Sequence, residues 1–402
     1  MKIPNFLNRD DYLQNPIMRR FFKAHNIGFV NNRADYIKTI EDYASENSEN
    51  ELETRDWLLK IAKEGSKEIC YKKIWNIEEW HKDSALVEAK IKENYPNCPM
   101  KNLLTYSNTG KKTMIEYKII ENSLGEVSKI EFVFSQLFLC GESGRVGETT
   151  VWPVFVEVYL DKGFVISRGK AKSTLYYYDQ ENPMLYSNYR INTMEYAVDM
   201  INEIVSMFGF VTEANYKCWK NKNSQMLYRI YEKYSFTPAD VEKKVESQND
   251  IANAFIKTIF DNLKLDVRNK PKALLDTKIL IEKFISINGD NEEIFKRDRP
   301  AYLIKVSADD EIDLTKIDTT SYKEVPLQCT EAFFDGKKSV VKSKKCNRLN
   351  LIFGRQNEEY FGKKNPLVVQ LGTNKNYGYV KTMQYAEEVD IQNVLQAIFE
   401  NY

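Results

Sequence analysis

Residues 151–178, VWPVFVEVYLDKGFVISRGKAKSTLYYY, decide the class of the fold. The runs on either side of Asp161-Lys162-Gly163 are rich in β-branched and aromatic side chains, which suit a pleated, half-buried surface. The triplet itself is turn chemistry, so the stretch reads as a β-hairpin. Upstream, KIEFVFSQLFLC (129–140) extends the strand signal back towards Met114. Downstream, Met194, Ala197, Val198, Ile201, Ile204, Val205 and Phe208 fall on one apolar stripe at helical spacing, and Gly209 is placed to stop that helix. Strands followed by an amphipathic helix define an α+β module over 105–235.

A similar succession closes the chain. Strands are expected at AYLIKVSA (301–308), RLNLIFG (348–354), NPLVVQL (365–371) and YGYVKTMQY (377–385), and then a helix over VDIQNVLQAIFENY (389–402), giving a second α+β module at 299–402. Between the two modules, 236–298 reads as a helical segment. Thr237 is its expected N-cap, Pro238 its first helical residue, and LDVRNKP (265–271) an interruption. Residues 1–100 read as a helical N-terminal domain in which Trp57, Leu58 and Ile61, then Ile74 and Trp75, recur at helical intervals until the prolines of NYPNCPM (94–100) intervene. The expected class is therefore α+β, with an N-terminal helical region and two antiparallel-sheet-plus-helix modules separated by a helical segment.

Composition narrows the function. The 402 residues include 58 Lys plus Arg and 58 Asp plus Glu, so no long-range field draws a polyanion to the molecule as a whole. Contact with nucleic acid must come from local patches. The two histidines, His25 and His81, leave no room for His-dependent triads, HNH-type nuclease sites or multi-His metal centres. Six scattered cysteines without a C-x-x-C pair argue against a zinc site or a disulfide framework and suit a reducing cytoplasm. No apolar leader or membrane-length run is evident, which gives the expectation of a soluble, cytoplasmic protein without a membrane partner. Heavy use of Lys, Asn and Ile points to an AT-rich bacterial or mobile-element genome.

The N-terminal run PIMRRFFKAHNIGFVNNRADYIKTIEDY (16–43) has the most informative spacing. Met18, Phe21 and Phe22 form the inner face of a short helix that Asn26 can end in left-handed geometry. Ile27 and Phe29 are available for burial in the crossover. Asn31 or Asn32 can cap a second helix whose inner residues are Tyr36, Ile37 and Ile40. On these residues the segment 17–43 resembles the SAP motif, a helix-turn-helix hairpin of chromosome-associated and nucleic-acid-processing proteins; Gly28 and Asn31 depart from its usual turn residues. The resemblance implies binding of DNA, double-stranded, through the amides around Asn31 and Asn32 with Arg33 and Lys38 as charge contacts. Such backbone binding is weakly sequence-selective and strongly salt-dependent. A hairpin docked on its own protein, with Arg33 and Lys38 merely solvated, is the structural alternative.

Other stretches carry weaker signals. Strand alternation places Arg168, Lys170, Lys172, Thr174, Tyr176 and Tyr178 on one face, a basic row ending in aromatics that can hold phosphates and stack bases, or simply face solvent. Small Gly169 and Ala171 on the opposite parity allow close packing from behind. GKKSVVKSKKCNR (336–348) reads as a basic surface hairpin or a phosphate-binding loop. CGESGRVGETT (140–150) lacks a Gly-Lys-Ser/Thr ending and leads into a strand, so its glycines do not make a nucleotide cradle. Glu116 and Lys118 form a Glu-x-Lys which, with Glu131 and Glu157, could hold Mg²⁺ in a nuclease; acid-x-base is expected about eight times by chance in this composition. The sequence thus points first to a DNA-binding, non-catalytic accessory protein of a genome-maintenance or antiviral-defence system, acting beside a protein partner that supplies the enzymatic activity. A Mg²⁺-dependent nuclease and a protein-interaction scaffold are the alternatives.

Overall fold

The computed structural model describes residues 1–9, 12–172, 174–178, 190–288, 292–297, 299–310, 315–322, 324–355 and 366–402. In chain order the helices and strands are α1 (Asn5–Arg9), α2 (Asn15–Ala24), α3 (Arg33–Glu46), α4 (Ser48–Lys63), β1 (Glu68–Lys73), α5 (Ser84–Asn94), β2 (Thr113–Glu121), β3 (Val127–Cys140), β4 (Thr149–Tyr159), β5 (Phe164–Gly169), β6 (Leu175–Tyr177), α6 (Thr193–Phe208) and α7 (Tyr216–Tyr234). They continue with α8 (Ala239–Glu246), α9 (Asn249–Leu263), α10 (Lys270–Ile287), α11 (Glu292–Lys296), β7 (Ala301–Asp310), β8 (Thr315–Thr320), α12 (Glu331–Ser343), β9 (Arg348–Phe353), β10 (Leu367–Asn374), β11 (Tyr377–Thr382) and α13 (Glu388–Asn401). The fold is α+β.

The chain forms two compact units, one of Met1–Trp219, Arg355–Leu367 and Asn374–Phe399, the other of Lys220–Gly354, Val368–Thr373 and Glu400–Tyr402. These boundaries differ from the four consecutive segments the sequence suggests. The reason is long-range strand pairing: β1 lies inside the supposedly helical first hundred residues, yet it pairs antiparallel with β5 on one side and with β11 on the other. Ile74 and Trp75 accordingly follow a strand and lie on no helix, and Trp75 bridges to Val211.

In the first unit the strand order is β2-β3-β4-β5-β1-β11, with β6 paired to β3. The hairpin forms as expected about Asp161-Lys162-Gly163, where Tyr159 pairs with Phe164 and Gly163 takes a left-handed φ of 65°, but its second strand, expected to run to Tyr178, stops at Gly169, and Leu175–Tyr177 pair with β3 instead. Every residue of β5 is buried, because helices cover both faces of the sheet. On one face α5 and α6 pack over Phe132, Phe134, Val154, Val156 and Val158. On the other, α2, α3 and α4 pack with Ile115 and Phe155 into a second core containing Phe21, Phe22, Tyr36 and Ile40. α6 ends where its apolar stripe stops, at Gly209 with φ of 68°.

In the second unit the strand order is β10-β9-β7-β8, with β7 antiparallel to both β8 and β9. β8 carries no strong apolar alternation and is absent from the sequence expectation. The basic run 336–348 is largely helical, since α12 extends to Ser343, and Lys344 ends it in left-handed geometry. Thr330, not a turn, opens that helix by accepting from Phe333 N–H. Lys337 and Lys338 are neutralised by Glu282 and Asp276 at 3.0 and 2.6 Å, so the run is not a phosphate loop. At the start of α8, Pro238 is the N-cap in place of Thr237, whose hydroxyl donates to Glu282. No described helix is long and apolar enough to cross a membrane.

Candidate functional site

The N-terminal hairpin forms from local chemistry. α2 has a proline in its first turn and buries Ile17, Met18, Phe21 and Phe22; Asn26 follows it at φ of 55°, the left-handed geometry expected of it. Asn32 caps α3 by accepting from Asp35 N–H at 2.9 Å. Phe29, in contrast, is 66% exposed, and the crossover packs on the core through Ile27, as expected, and Val30. His25 lies beside Phe21 and Tyr43, with the Tyr43 hydroxyl 3.0 Å from Nδ1, so the hairpin's histidine is a packing element.

The four residues proposed to contact DNA separate into three situations. Asn31 and Asn32 are exposed, but Asp35 occupies the first turn of α3, where its carboxylate accepts from the Asn32 amide at 2.6 Å. That negative charge sits where a phosphate would have to approach the helix N-terminus. Arg33 is half-buried and turned inward: it donates to the Leu13 carbonyl at 2.7 Å, to Asn8 Oδ1 at 3.2 Å and to the Asn8 carbonyl. It ties α3 to the segment around α1 and is not merely solvated. Lys38 is exposed on the next turn.

Arg33 and Lys38 nevertheless line a shared concavity of about 830 Å³ that no single sequence segment announces. Lys2 and Arg9 come from the N-terminal segment, Glu41 from α3, and Gly144, Arg145 and Glu148 from the glycine loop between β3 and β4. Five cations thus surround two carboxylates. Glu148 bridges Arg9 at 2.6 Å and Arg145 at 3.3 Å, and Lys2 pairs with Glu41 at 2.7 Å. Arg9 pulls the Glu148 carboxyl down from its usual range, and Lys2 and the Ile3 amide outweigh burial to lower that of Glu41. Both acids stay ionised and hold Lys2, Arg9 and Arg145 in place. The glycine loop that makes no nucleotide cradle contributes its arginine here instead.

The expected basic row does not exist as one exposed face. β5 ends at Gly169, and Arg168 is fully buried on the face of the sheet covered by α4. Its guanidinium grips Glu157 at 2.7 Å and both oxygens of Glu388 at 2.6 and 3.0 Å. Lys170 lies beyond the strand with its ammonium 4.6 Å from the Tyr12 ring centre, and the nearly buried Lys172 pairs with Glu142 at 3.3 Å. Tyr176, on β6, pairs with Leu139 and bridges to Arg190. What alternation did anticipate is the close packing behind: Trp152 lies against Gly169, with a Cβ there only 2.7 Å from the indole ring.

The proposed nuclease residues are brought together, but as an ion-pair network. Register places Lys118 opposite Glu131 and Glu131 opposite Glu157, with Glu116 two residues from Lys118 on the same face of β2. Lys63 of α4 reaches Glu157 at 2.6 Å and Glu131 at 3.0 Å, and Lys129 reaches the same two carboxylates at 3.5 and 2.6 Å. Burial alone would raise the Glu157 carboxyl; Arg168, then Lys63 and Lys129, outweigh it and hold the group far below the usual range. Burial, followed by the Glu131 charge, raises the Glu116 carboxyl, and the Lys118 charge offsets this only in part. Among the described residues no group of three His, Cys, Asp or Glu is arranged to hold a metal ion. Lysines and an arginine occupy the approaches that a Mg²⁺ would need, so the donor set does not fit the metal.

Residues that the sequence reading passed over complete this buried network. Lys67 is fully buried, donates to the Ala62 carbonyl at 2.7 Å and is pushed well below its ordinary value by burial and by Lys170 and Arg168. Glu64 accepts from Tyr385 O–H at 3.0 Å and from Glu388 N–H at 2.8 Å. Their partners lie more than 300 residues away in several cases, beyond the reach of any local pattern.

Comparison with known proteins found no match among family models, curated proteins or solved structures.

Proposed function

We propose that this chain binds the phosphate backbone of duplex DNA through the concavity between the N-terminal hairpin and the glycine loop, with weak sequence selectivity. The observation that carries the reading is the set of five cations, Lys2, Arg9, Arg33, Lys38 and Arg145, around one concave surface with only two carboxylates. Pre-positioned guanidinium groups suit phosphate oxygens, and the absence of a net field in the whole molecule makes a local patch the physical route to such binding. The chain then serves as an accessory protein in bacterial or mobile-element genome maintenance or defence, and a partner performs the chemistry. The ion-paired state of Glu131 and Glu157 gives the Mg²⁺-nuclease alternative no support.

The test is fluorescence anisotropy with a labelled duplex over a salt series. Wild-type affinity should fall linearly in log–log form with salt. Arg9→Gln and Lys38→Gln should each weaken binding to all sequences alike and reduce the slope by about one. Affinity and slope unchanged in the double variant would remove this reading.

A further inference from the structure

A recess of about 740 Å³ opens at the ends of β5, β1 and β11 and shares no described lining residue with the concavity proposed for DNA. Register sets its floor: Glu68, the first residue of β1, lies opposite Gly169 of β5 and Lys381 of β11. Glu68 accepts from Lys381 Nζ at 2.6 Å and from Thr193 Oγ1, in the first turn of α6, at 3.0 Å. The wall is formed by Ala171 and Lys172, beyond β5, and by Arg190, just ahead of α6. Trp152 Nε1 donates to the Lys170 carbonyl at 2.9 Å and Arg190 bridges to Tyr176, which fixes the backbone on both sides. The volume suits a small molecule, for which pockets run to about 300–1,000 Å³.

The charges of the recess are unbalanced. Among the described lining residues three cations, Lys172, Arg190 and Lys381, stand against one carboxylate, and Glu68 is already matched by Lys381 and the Thr193 hydroxyl. Lys172 and Arg190 are then the excess. Lys172 is held at 3.3 Å by Glu142, which lies outside the lining and also pairs with Arg145 at 3.2 Å, so Glu142 keeps a cation when Lys172 turns to a ligand. The Lys172 side chain is only 6% exposed, so a ligand must enter the recess to reach its ammonium. Arg190 is exposed at the rim, where exchanging one ionic contact for another costs little. The start of α6 is not the source of the attraction, because Asn192 already accepts from Met194 and Glu195 N–H at 3.1 and 3.4 Å.

We propose that this recess binds the phosphate monoester group of a small phosphorylated molecule, with Lys172 and Arg190 as its charge partners. A monoester carries about −1.5 to −2 charges at pH 7, which matches the two cations in excess. The guanidinium fork meets phosphate oxygens in pairs, and the ammonium adds a point charge from within the recess. A phosphodiester carries a single charge and is substituted on both sides, so it neither balances the excess nor reaches the recessed ammonium. The recess therefore selects a different phosphate chemistry from the open surface beside the N-terminal hairpin.

Titration calorimetry on the full chain, in phosphate-free buffer at fixed ionic strength, tests this with inorganic phosphate and dimethyl phosphate as probes. Inorganic phosphate should bind saturably with a Kd of about 10 μM to 1 mM, the range open to a ligand of so few atoms. Dimethyl phosphate should bind at least about tenfold more weakly. Arg190→Gln and Lys172→Gln should each weaken phosphate binding at least about tenfold, the scale of a charge-assisted hydrogen bond, and Lys172→Arg should retain it. Arg190 is exposed, so its substitution leaves the fold intact and decides the outcome if Lys172→Gln unfolds. No saturable binding up to about 20 mM phosphate, equal affinity for the diester, or an affinity unchanged in Arg190→Gln would each overturn the inference. The DNA-directed variants Arg9→Gln and Lys38→Gln should leave phosphate affinity unchanged, and Arg190→Gln should leave DNA affinity unchanged, so the two proposals fail separately. Phosphate binding lost in the DNA-directed variants would place the ion at the other surface and refute the assignment.

Discussion

Replacing Arg168 with Met should destabilise the first unit by about 3–5 kcal/mol, the cost of removing one partner from a buried ion pair. Arg168 has no exposed surface, and its loss weakens the support of two carboxylates: Glu157, itself fully buried, and Glu388, which loses both contacts to the guanidinium and keeps the Gln392 amide at 2.6 Å. Lys63 and Lys129 remain beside Glu157 at 2.6 and 3.5 Å, which places the expected value in the lower half of that range. The assay is urea unfolding followed by tryptophan emission, because Trp57, Trp75, Trp80, Trp152 and Trp219 all lie in the first unit. For a slope near 3 kcal/mol/M the midpoint should fall by about 1 M. Removing the Glu157 charge as well, in Arg168→Met with Glu157→Gln, should recover part of the loss and give a coupling of about 1–3 kcal/mol. The pH dependence provides a second signature. Glu157 has a folded pKa held below its unfolded value, so its ionised form contributes stability that is fully present above about pH 4.3 and lost as pH falls towards the folded value. Wild-type stability should therefore drop as the solution is acidified below about pH 5, and Arg168→Met should flatten that drop, since the largest of the three charges holding the Glu157 carboxyl down is then gone. A midpoint change worth less than about 1 kcal/mol, the scale of an exposed ion pair, would refute the reasoning.

Two further substitutions separate scaffolding from binding. Arg33→Ala removes charge-assisted hydrogen bonds to Leu13 and Asn8 and should cost about 1.5–3 kcal/mol by thermal unfolding; Lys38→Ala should stay within about 0.5 kcal/mol. Equal stabilities would show that Arg33 does not tether α3. Gly169→Ala places a Cβ 2.7 Å from the ring of Trp152, which is itself buried and cannot retreat freely. It should cost about 1–3 kcal/mol and shift tryptophan emission; an unperturbed spectrum and midpoint would contradict the packing.

The sequence by itself determined what short-range chemistry can encode. The β4–β5 hairpin, the α6 stripe ending at Gly209, the cap at Asn32 and the left-handed Asn26 all follow from residues within one or two turns of each other, and each is found where its pattern predicts. The same logic misread Arg168. Alternation correctly assigned its parity, but parity names a face without saying what covers it, and α4 together with the distant Glu388 turns an apparently basic surface into a buried ion-pair network. Likewise, Glu131 and Glu157 are cross-strand neighbours, as a metal site would need, and Lys63 from α4, with Lys129 and Arg168 from the sheet, makes them members of an ion-pair network. Arg33 shows the limit most directly. Its spacing within the hairpin marked it as a DNA contact, yet Leu13 and Asn8 bind its guanidinium, and it is the tertiary placement of Arg9, Arg145 and Lys38 around it that forms a candidate phosphate surface. Local propensity decides which elements form; which charges meet, and whether water reaches them, depends on contacts between residues hundreds of positions apart.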